Sequence, residues 1–439
     1  MRGRRTARGG LVGVAAVGAL MTAGPVGAVG NAEDGGAYRM APGANPVKGA
    51  ANAGDAPPLA EGMYTDSIKP GATKYYSVEL DDASSAYVSA IAVPREGSVP
   101  GAQDGIGVSM RTADGRRCGL VHQRTFAAQG GAYPTGDYAE RVVEPRGVCR
   151  GAGRYVVTVT RGEVTGGGST AALPIELAYM SEPAVRKGTE GSPAVGGKGT
   201  SGAAREPAAS PPAASGGAEQ RAEGGTGFND AAEVRAGSVK GSVEPGGTRF
   251  YRVPVGWGQR LRVTADFGAA PSGSAFHAAN GVRLALSNTA RGLVANRNGG
   301  YQGKPKSLSL ETAPVAYANR LGAGLDAATK AMRFAGAYYL QVSVNPAVAG
   351  KVSGSVPFTL RIGVEGEPAK GPEYVKDPGE FGGGMLPLAG DGLGPGGVRD
   401  GGSGRSDRLR LVGYAGVGTG SVLLLGLGGW SLAARRWKS

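Results

Sequence analysis

The sequence predicts an all-β protein built from two tandem homologous antiparallel β-sandwich modules of jelly-roll-like type, followed by one C-terminal transmembrane helix. An internal repeat, short runs in which polar and apolar residues alternate, and a charge-free stretch near the C-terminus lead to this prediction. The chain has 439 residues, which is enough for several domains.

The internal repeat joins blocks that recur in one order. IKPGATKYYSVEL at 68–80 recurs as VEPGGTRFYRVPV at 243–255, an offset of 175. DGIGVSMRTADG then pairs with NGVRLALSNTAR, YAER with YANR, and GRYVVTVT with GAYYLQVS, while the offset rises to 183. An offset that only rises indicates one copied module whose second copy gained about 8 residues in its loops.

The repeat and the composition together divide the chain. Module 1 is predicted over 60–182 and module 2 over 237–366. With 82 glycines and 28 prolines, the segments between them lack the large apolar residues that would fold them. The predicted remainder is a signal peptide (1–28), a disordered segment (29–59), a disordered linker (183–236), a Gly/Pro-rich stalk (367–408), the transmembrane helix (409–434) and a cytoplasmic tail (435–439).

Both ends of the chain carry export and anchoring signals. Arginines at the N-terminus precede the apolar run Leu11–Leu20 and a small-residue cleavage site at Val26–Ala28, which is typical of a secretory signal peptide. The Arg4–Arg5 pair leaves Sec and twin-arginine export both open. Residues 411–434 carry no charge and are followed by Arg435, Arg436 and Lys438, so the positive flank is predicted to stay cytoplasmic.

This arrangement predicts a single-pass type I protein of the plasma membrane with both modules extracellular. The abundance of arginine, alanine and glycine favours a bacterial envelope as the setting.

The strands of the modules are predicted from a period of two. TKYYSVEL, RLRVTADF and YYLQVSV each place apolar residues on one face, and Pro-Gly, Asn-Gly and Asp-Gly turns bound such runs. Short alternating strands with these turns are typical of an antiparallel sandwich or barrel.

Four recurring features carry a resemblance to a known family. They are a PGxT turn, a strand that begins with paired aromatic residues, the GQRLRV strand, and the late strands GRYVVTV and GAYYLQV. Together they resemble the bacterial pre-peptidase C-terminal β-sandwich, and the second copy is similar to the extracellular sandwich of actinobacterial von Willebrand A-type membrane proteins. The A domain itself is absent. The resemblance implies non-catalytic modules that accompany secreted enzymes or surface proteins.

The two cysteines are predicted to form a disulfide. Cys118 and Cys149 are the only cysteines of an exported chain, and an even count in an oxidising compartment favours pairing.

Five residues are candidates for ligand binding. Trp257 lies in the turn GWGQ, where an exposed ring would stack on a sugar or anchor a partner and a buried one would close the sandwich. The motif Tyr-Ala-x-Arg occurs as Tyr138 with Arg141 and as Tyr317 with Arg320. A tyrosine with an arginine three residues on suits a sugar ring or an anionic group, and packing is the alternative explanation.

No catalytic residue, cofactor or metal site is predicted. The sequence has no phosphate-binding loop, zinc motif or nucleophile elbow. Asp81, Asp82 and Asp104 are weak candidates for calcium or for a carboxylate-based hydrolase, but the second copy does not repeat these acids.

Charge separates the copies and indicates possible partners. Residues 60–182 carry 12 Lys and Arg against 14 Asp and Glu, whereas 233–367 carry 16 against 7. A basic module near the outer membrane face suits an anionic cell-wall polymer or an acidic envelope protein, and an arginine-rich soluble surface is the alternative. Nucleic acid is not predicted, since stacking aromatic residues are lacking. The predicted function is therefore a non-catalytic accessory, scaffold or adhesion protein, with carbohydrate binding as the alternative.

Overall fold

The computed structural model describes residues 38–189 and 219–378, apart from residues 96, 97, 99, 128, 129, 145, 146, 165–167, 322 and 323. The predicted signal peptide, transmembrane helix and cytoplasmic tail lie outside these residues. Within them, no helix has both the length and the apolar character needed to cross a membrane. Both modules belong to one compact unit of the chain.

Module 1 is a two-sheet sandwich. Its strands are Asn45–Pro46 (β1), Gly62–Ile68 (β2), Thr73–Leu80 (β3), Ser85–Ala92 (β4), Gly105–Thr112 (β5), Arg117–Thr125 (β6), Thr135–Arg141 (β7), Gly153–Arg161 (β8) and Leu173–Glu182 (β9). One sheet has the order β1-β2-β9-β4-β7 and the other β3-β8-β5-β6. Apart from the short β1, which pairs parallel to β2, the strands are antiparallel and follow the jelly-roll order.

Module 2 repeats this topology. Its strands are Glu219–Arg221 (β10), Ala232–Glu233 (β11), Gly237–Val243 (β12), Thr248–Val255 (β13), Arg260–Phe267 (β14), Ala278–Ser287 (β15), Leu293–Tyr301 (β16), Lys306–Glu311 (β17), Gly336–Val344 (β18) and Val356–Glu365 (β19). The sheets have the orders β10-β12-β19-β14-β17 and β11-β13-β18-β15-β16. The helices are α1, Ala327–Ala331, and the 3-10 turns Tyr317–Arg320 and Pro346–Val348. The predicted all-β double sandwich is confirmed.

Each module closes its own apolar core, and the predicted disulfide lies beside that of module 1. Cys118 and Cys149 are bonded, with their Cα atoms 5.7 Å apart. Both cysteines belong to the buried cluster that lies between the sheets of module 1. In module 2 the cluster contains Val294 and Met332, the two residues that the repeat places opposite the cysteines. The second copy therefore has buried apolar residues in the core at the positions of the two cysteines.

The repeat begins earlier than the sequence suggested. β1 pairs with β2 as β10 pairs with β12, and the bridge Ala50–Tyr75 corresponds to Gly225–Phe250 at the offset of 175. The prediction of disorder over 29–59 is therefore wrong for 38–59, and that of a disordered linker over 183–236 is wrong for 183–189 and 219–236. These segments contain few large apolar residues, but their backbones pair along the sandwiches and anchors such as Leu59 and Phe228 are buried.

The start of the predicted stalk is also ordered. Tyr374 forms an antiparallel bridge with Val185, just past the end of module 1. Ala369 donates its backbone N–H to the Trp257 carbonyl oxygen of module 2. Residues 369–375 thus contact both modules, while residues 379–408 of the predicted stalk lie outside the described part.

The modules pack directly against each other. The outer face of the β2-β9-β4-β7 sheet of module 1 meets the outer face of the β13-β18-β15-β16 sheet of module 2. Two apolar clusters span this contact, one with Ile91, Phe228, Ala231, Phe250, Ala337 and Tyr339, the other with Tyr87, Tyr138, Ala290 and Phe334. The modules therefore form one body, and they are not joined only by a linker.

Buried charge also crosses the contact, first at Arg333 of module 2. Its guanidinium pairs with Glu140 and donates to the Tyr138 hydroxyl, both in β7 of module 1. The same group lies 5.5 Å from the ring centroids of Tyr87 and Tyr138, and the Tyr87 ring meets Phe334 edge to face at 5.0 Å. A buried charge of module 2 whose polar partners belong to module 1 holds their relative position, because separating the modules would leave it unpaired.

A second buried charge lies at Glu176, in β9 of module 1. Its carboxylate accepts from the Tyr38 hydroxyl at 3.0 Å, the Ala41 backbone N–H at 2.7 Å and the Asn229 side-chain amide at 3.0 Å. Arg291 of module 2 pairs with it. Four donors from three parts of the chain therefore meet on one acid of module 1.

Candidate binding surfaces

Trp257 lies at the junction between module 2 and the C-terminal segment. It is half-buried, and a Cβ added to Gly371 would lie 2.0 Å from its indole Nε1, so the segment passes close to the ring. A cavity of about 420 Å³ opens there. It is lined by Trp257, Phe334, Ala335, Pro372, Tyr374, Val375, Lys376, Asp377 and Pro378.

Tyr317 and Arg320 lie beside Trp257. The Tyr317 ring meets Trp257 edge to face at 6.3 Å and Tyr374 at 6.4 Å. The Arg320 guanidinium carbon stands 3.3 Å from the centroid of the Tyr317 ring, and this guanidinium also donates to the Tyr317 carbonyl oxygen. Three of the five candidates are thus brought together, with the tyrosine buried and the arginine covering it.

Tyr138 and Arg141 lie elsewhere. Tyr138 faces module 2 in the Arg333 contact, and Arg141 is fully buried. The Arg141 guanidinium donates to the carbonyl oxygens of five residues, namely Asp81, Ser84, Cys149, Arg150 and Gly151. It is therefore occupied in holding loops around the disulfide and is not accessible to a ligand.

The two Tyr-Ala-x-Arg motifs are not structural counterparts. YAER lies in strand β7, whereas YANR forms a 3-10 turn after β17. The strand that corresponds to β7 is β17, since β7 pairs with β4 at one edge of its sheet as β17 pairs with β14. The sequence match between the motifs therefore does not mark a shared site.

Two of the three candidate acids of module 1 have structural partners. Asp104 is buried and holds Arg161 through two contacts of 2.8 Å. Asp81 accepts from the backbone N–H groups of Ala83 and Ser84 in the turn before β4, and Asp82 is exposed nearby. In the described ranges no three His, Cys, Asp or Glu side chains are grouped so as to hold a metal ion.

A carboxyl group near the Trp257 cavity has an unusual environment. Glu182 accepts from the hydroxyl groups of Tyr87 at 2.8 Å and Tyr374 at 2.9 Å. Burial raises the pKa of Glu182 above its ordinary value. Burial, and then the charge of Glu182, raise the pKa of Tyr374, so this hydroxyl stays a donor.

A basic groove on module 2 was missed by the sequence reasoning. It has a volume of about 530 Å³ and is called the module 2 groove below. Its lining is Arg221, Ala222, Glu223, Gly224, Lys240, Gly241, Ser242, Arg249 and Tyr251. Burial raises the pKa of Tyr251 to about 12, so its hydroxyl is protonated at neutral pH. Sequence reasoning does not find this groove because residues 221–224 fall within the predicted linker.

Much of the remaining charge of module 2 is paired. Arg260 and Arg262 form a ladder with Glu311 and Glu365 across neighbouring strands. Three further arginines, Arg283, Arg291 and Arg333, are buried at the contact with module 1. The basic residues of module 2 thus form ion pairs within one sheet and lie buried at the module contact, as well as lining the groove.

Comparison with known proteins adds little at the level of family. No family model and no curated protein matches the chain. Solved structures that it resembles include the CUB1-EGF-CUB2 domains of human MASP-1/3, with 5% identity, a TM-score of 0.17 and coverage of 69% of this chain and 99% of that one. The tandem CBM22 domains of Xyn10C from Paenibacillus barcinonensis share 9% identity at a TM-score of 0.18, covering 70% and 86%. Similarities this weak carry no argument about function.

Proposed function

We propose that this chain is a non-catalytic protein of the bacterial envelope that binds an anionic wall polymer through module 2. The observation that carries the proposal is the module 2 groove, where Arg221, Lys240 and Arg249 converge on one copy only. A concentration of positive charge along an open groove attracts a polyanion and holds it without enzymatic chemistry. The predicted C-terminal span would hold the modules on the outer side of the membrane, and the resemblance to pre-peptidase C-terminal sandwiches implies non-catalytic modules.

The proposal is tested by sedimentation with purified cell wall, using the full chain in detergent micelles. We expect co-sedimentation at low salt and its loss at raised salt, because screening weakens exposed charge–charge attraction. Reversing the groove charge with Arg221→Glu and Lys240→Glu should abolish it, whereas Arg297→Glu, on an exposed strand position outside the groove, should weaken it only slightly. Salt-resistant capture of a discrete envelope protein, with no wall binding, would favour the scaffold function instead.

Carbohydrate binding at the Trp257 cavity is the second candidate. An indole beside a cavity of about 420 Å³, with Tyr374 and Phe334 in the lining, is an arrangement that suits a sugar ring. In the full chain with Trp430→Phe and Trp437→Phe, Trp257 is the one remaining tryptophan. A neutral oligosaccharide that shifts its fluorescence would support this function, and an unchanged spectrum across neutral sugars would speak against it.

A further inference from the structure

The two copies can be compared position by position at the module 2 groove. Asn45 pairs with Tyr64 in module 1 as Gln220 pairs with Val239 in module 2, both at an offset of 175. Gly49 of module 1 and its counterpart Gly224 each pack closely against the ring of a tyrosine. A Cβ added at either glycine would stand 2.7 Å from the ring carbon Cζ, of Tyr76 in one copy and Tyr251 in the other. The same arrangement of a glycine against a tyrosine ring, called the cradle below, therefore occurs in both copies.

In module 1 an internal carboxylate occupies this cradle. Asp66 accepts from Lys74 Nζ at 2.6 Å, from the Tyr76 hydroxyl at 2.8 Å and from the Gly49 backbone N–H at 2.8 Å. Its side chain is only 8% exposed. One acid of the chain itself thus satisfies an ammonium, a hydroxyl and a backbone donor.

In module 2 the cation remains but the acid is missing, and the Gly224 backbone N–H donates to the buried Tyr251 hydroxyl instead. At the offset of 175, Arg249 stands for Lys74, Tyr251 for Tyr76, and Gly241 for Asp66. Across the sheet, Asp66 pairs with Ile175, whereas Gly241 pairs with the larger Phe358. In the part of the chain that the structure describes, no carboxylate pairs with Arg249.

Two further substitutions add positive charge to the open copy. Arg221 and Lys240 stand where module 1 has Pro46 and Thr65. Lys240 pairs with Glu219 at 2.8 Å, but both groups are largely exposed and the pair is weak. Glu223, also in the lining, stands where module 1 has Lys48. The copies therefore differ in having a closed, self-neutralised site in module 1 and an open groove of about 530 Å³ with three cations and one acid in module 2.

We propose that the module 2 groove binds the carboxylate groups of an acidic polysaccharide, with Arg249 as the principal partner. This inference rests on the proposed function and names the chemistry of its ligand. A carboxylate is the group that the same cradle holds in module 1, and an arginine fork suits it better than a point charge does. A polyuronate presents such a group at every sugar, and its hydroxyls match polar lining residues such as Ser242 and Glu223.

The lining favours a polysaccharide over an acidic protein. Protein interfaces depend on apolar or aromatic anchors that enter a pocket. Here the lining consists of charged and small residues, and the one aromatic side chain, Tyr251, is fully buried. An acidic peptide would find charge in the groove but no apolar surface to cover.

The test measures binding of polygalacturonate to the full chain in micelles by isothermal titration calorimetry. Arg249→Gln should weaken binding about tenfold, the effect of losing one charge-assisted hydrogen bond. The double variant Gly241→Asp with Phe358→Ile copies the module 1 pair Asp66 and Ile175. The second change is needed because a Cβ at Gly241 alone would lie 2.6 Å from the Phe358 ring.

The double variant should bind no polygalacturonate because its own carboxylate faces Arg249, while Arg297→Gln should bind as the wild type does. Thermal unfolding of each variant checks that it is folded, and Arg249→Gln suffices if the double variant is not. Unchanged binding in Arg249→Gln would overturn this site while leaving the proposed function standing. A wild type that binds no polyanion would overturn both. Binding of poly-glutamate but not of polygalacturonate would overturn the polysaccharide and assign an acidic protein.

Discussion

At the scale of single residues, Arg291 combines an unfavourable backbone conformation with favourable side-chain contacts between the modules. It has φ = 65°, the only positive value for a non-glycine residue in the described ranges, whereas the corresponding turn position of module 1 is Gly115 with φ = 87°. A left-handed conformation costs an L-residue about 1–2 kcal/mol. The side chain offsets this cost across the module contact, where it pairs with Glu176 and donates to Asn229 at 2.8 Å.

Arg291→Gly should therefore destabilise the protein although it removes backbone strain. Leaving Glu176 buried without its cation is expected to cost more than the strain relief returns, for a net loss of about 2–3 kcal/mol in the free energy of unfolding. Urea denaturation measures this change. Arg116→Ala, in the exposed turn of module 1, is the control and should change stability by less than about 0.5 kcal/mol. A more stable Arg291→Gly variant would show that the buried pair contributes nothing.

Glu182 makes a second residue-scale prediction, on the dependence of stability on pH. Burial raises its pKa in the folded protein above the ordinary 4.5, so the folded state holds the proton more tightly than the unfolded state does. Its contribution is then complete below pH 4.5 and is lost as the pH rises from there through the raised folded value.

Glu182→Gln should remove this loss, because the amide keeps the size of the side chain and does not titrate. The free energy of unfolding, measured from urea curves between pH 4 and pH 7, should fall less with rising pH in the variant than in the wild type. Parallel pH curves for the two proteins would contradict the prediction.

At the scale of elements, the sequence predicted where the strands lie, but it did not predict which side chains on their polar faces are buried. The alternating runs of β3, β14 and β18 are strands as expected. In β18, however, the face that alternates with the apolar one carries Gln341 and Ser343, and both are buried. Module 2 satisfies them internally, through Arg283 and Thr248, while module 1 covers that face. Period-two patterning reports the polarity of a face and not what covers it, so the module contact could not be predicted.

The predictions of individual functional residues also succeeded in some cases and failed in others. Cys118 and Cys149 were predicted correctly because an even cysteine count constrains the answer. Arg141 was a wrong candidate for binding, since motif spacing cannot distinguish an arginine that holds five carbonyl groups from one that faces a ligand. The groove was missed, although extending the offset of 175 upstream would have shown Gly49 opposite Gly224 and Asp55 opposite Asp230.

The disulfide makes a prediction at the element scale. It joins β6 to the loop before β8 and closes a separation of 31 residues. In the chain-entropy model such a loop contributes about 3–4 kcal/mol. Cys118→Ala with Cys149→Ala should therefore lower the unfolding free energy by that amount, as measured by urea denaturation. Since module 2 has no disulfide, reducing agent should leave the stability of the double variant unchanged, and a further loss would contradict this assignment.

At the scale of the whole molecule, the contact between modules predicts a single unfolding transition. Arg333 of module 2 pairs with Glu140 of module 1, and Glu176 of module 1 pairs with Arg291 of module 2, so neither module can unfold without leaving buried charge unpaired in the other. Calorimetry of the full chain in micelles should show one cooperative peak for the modules.

Gly292→Ala should divide that peak into two. A Cβ at Gly292 would lie 1.9 Å from Cε1 of Tyr138, so the added methyl group forces the modules apart at their contact. Gly273→Ala is the matched control, because nothing lies within 4 Å of its added Cβ. One unchanged peak in Gly292→Ala would show that the modules tolerate separation at this point, and two peaks in the wild type would show that they are independent.

The contact between the modules has a consequence for how many copies such an array can hold. It joins a β2-β9-β4-β7 face to a β13-β18-β15-β16 face, so it is head-to-tail and has no symmetry that closes it. Repetition of such a contact would add modules without limit, as in a filament. The outer end of module 2 instead carries the Arg260, Arg262, Glu311 and Glu365 ladder, a hydrophilic surface of the kind that ends solenoid arrays. A third module packed there would meet these charged side chains, where module 1 offers module 2 apolar residues such as Ile91 and Tyr87.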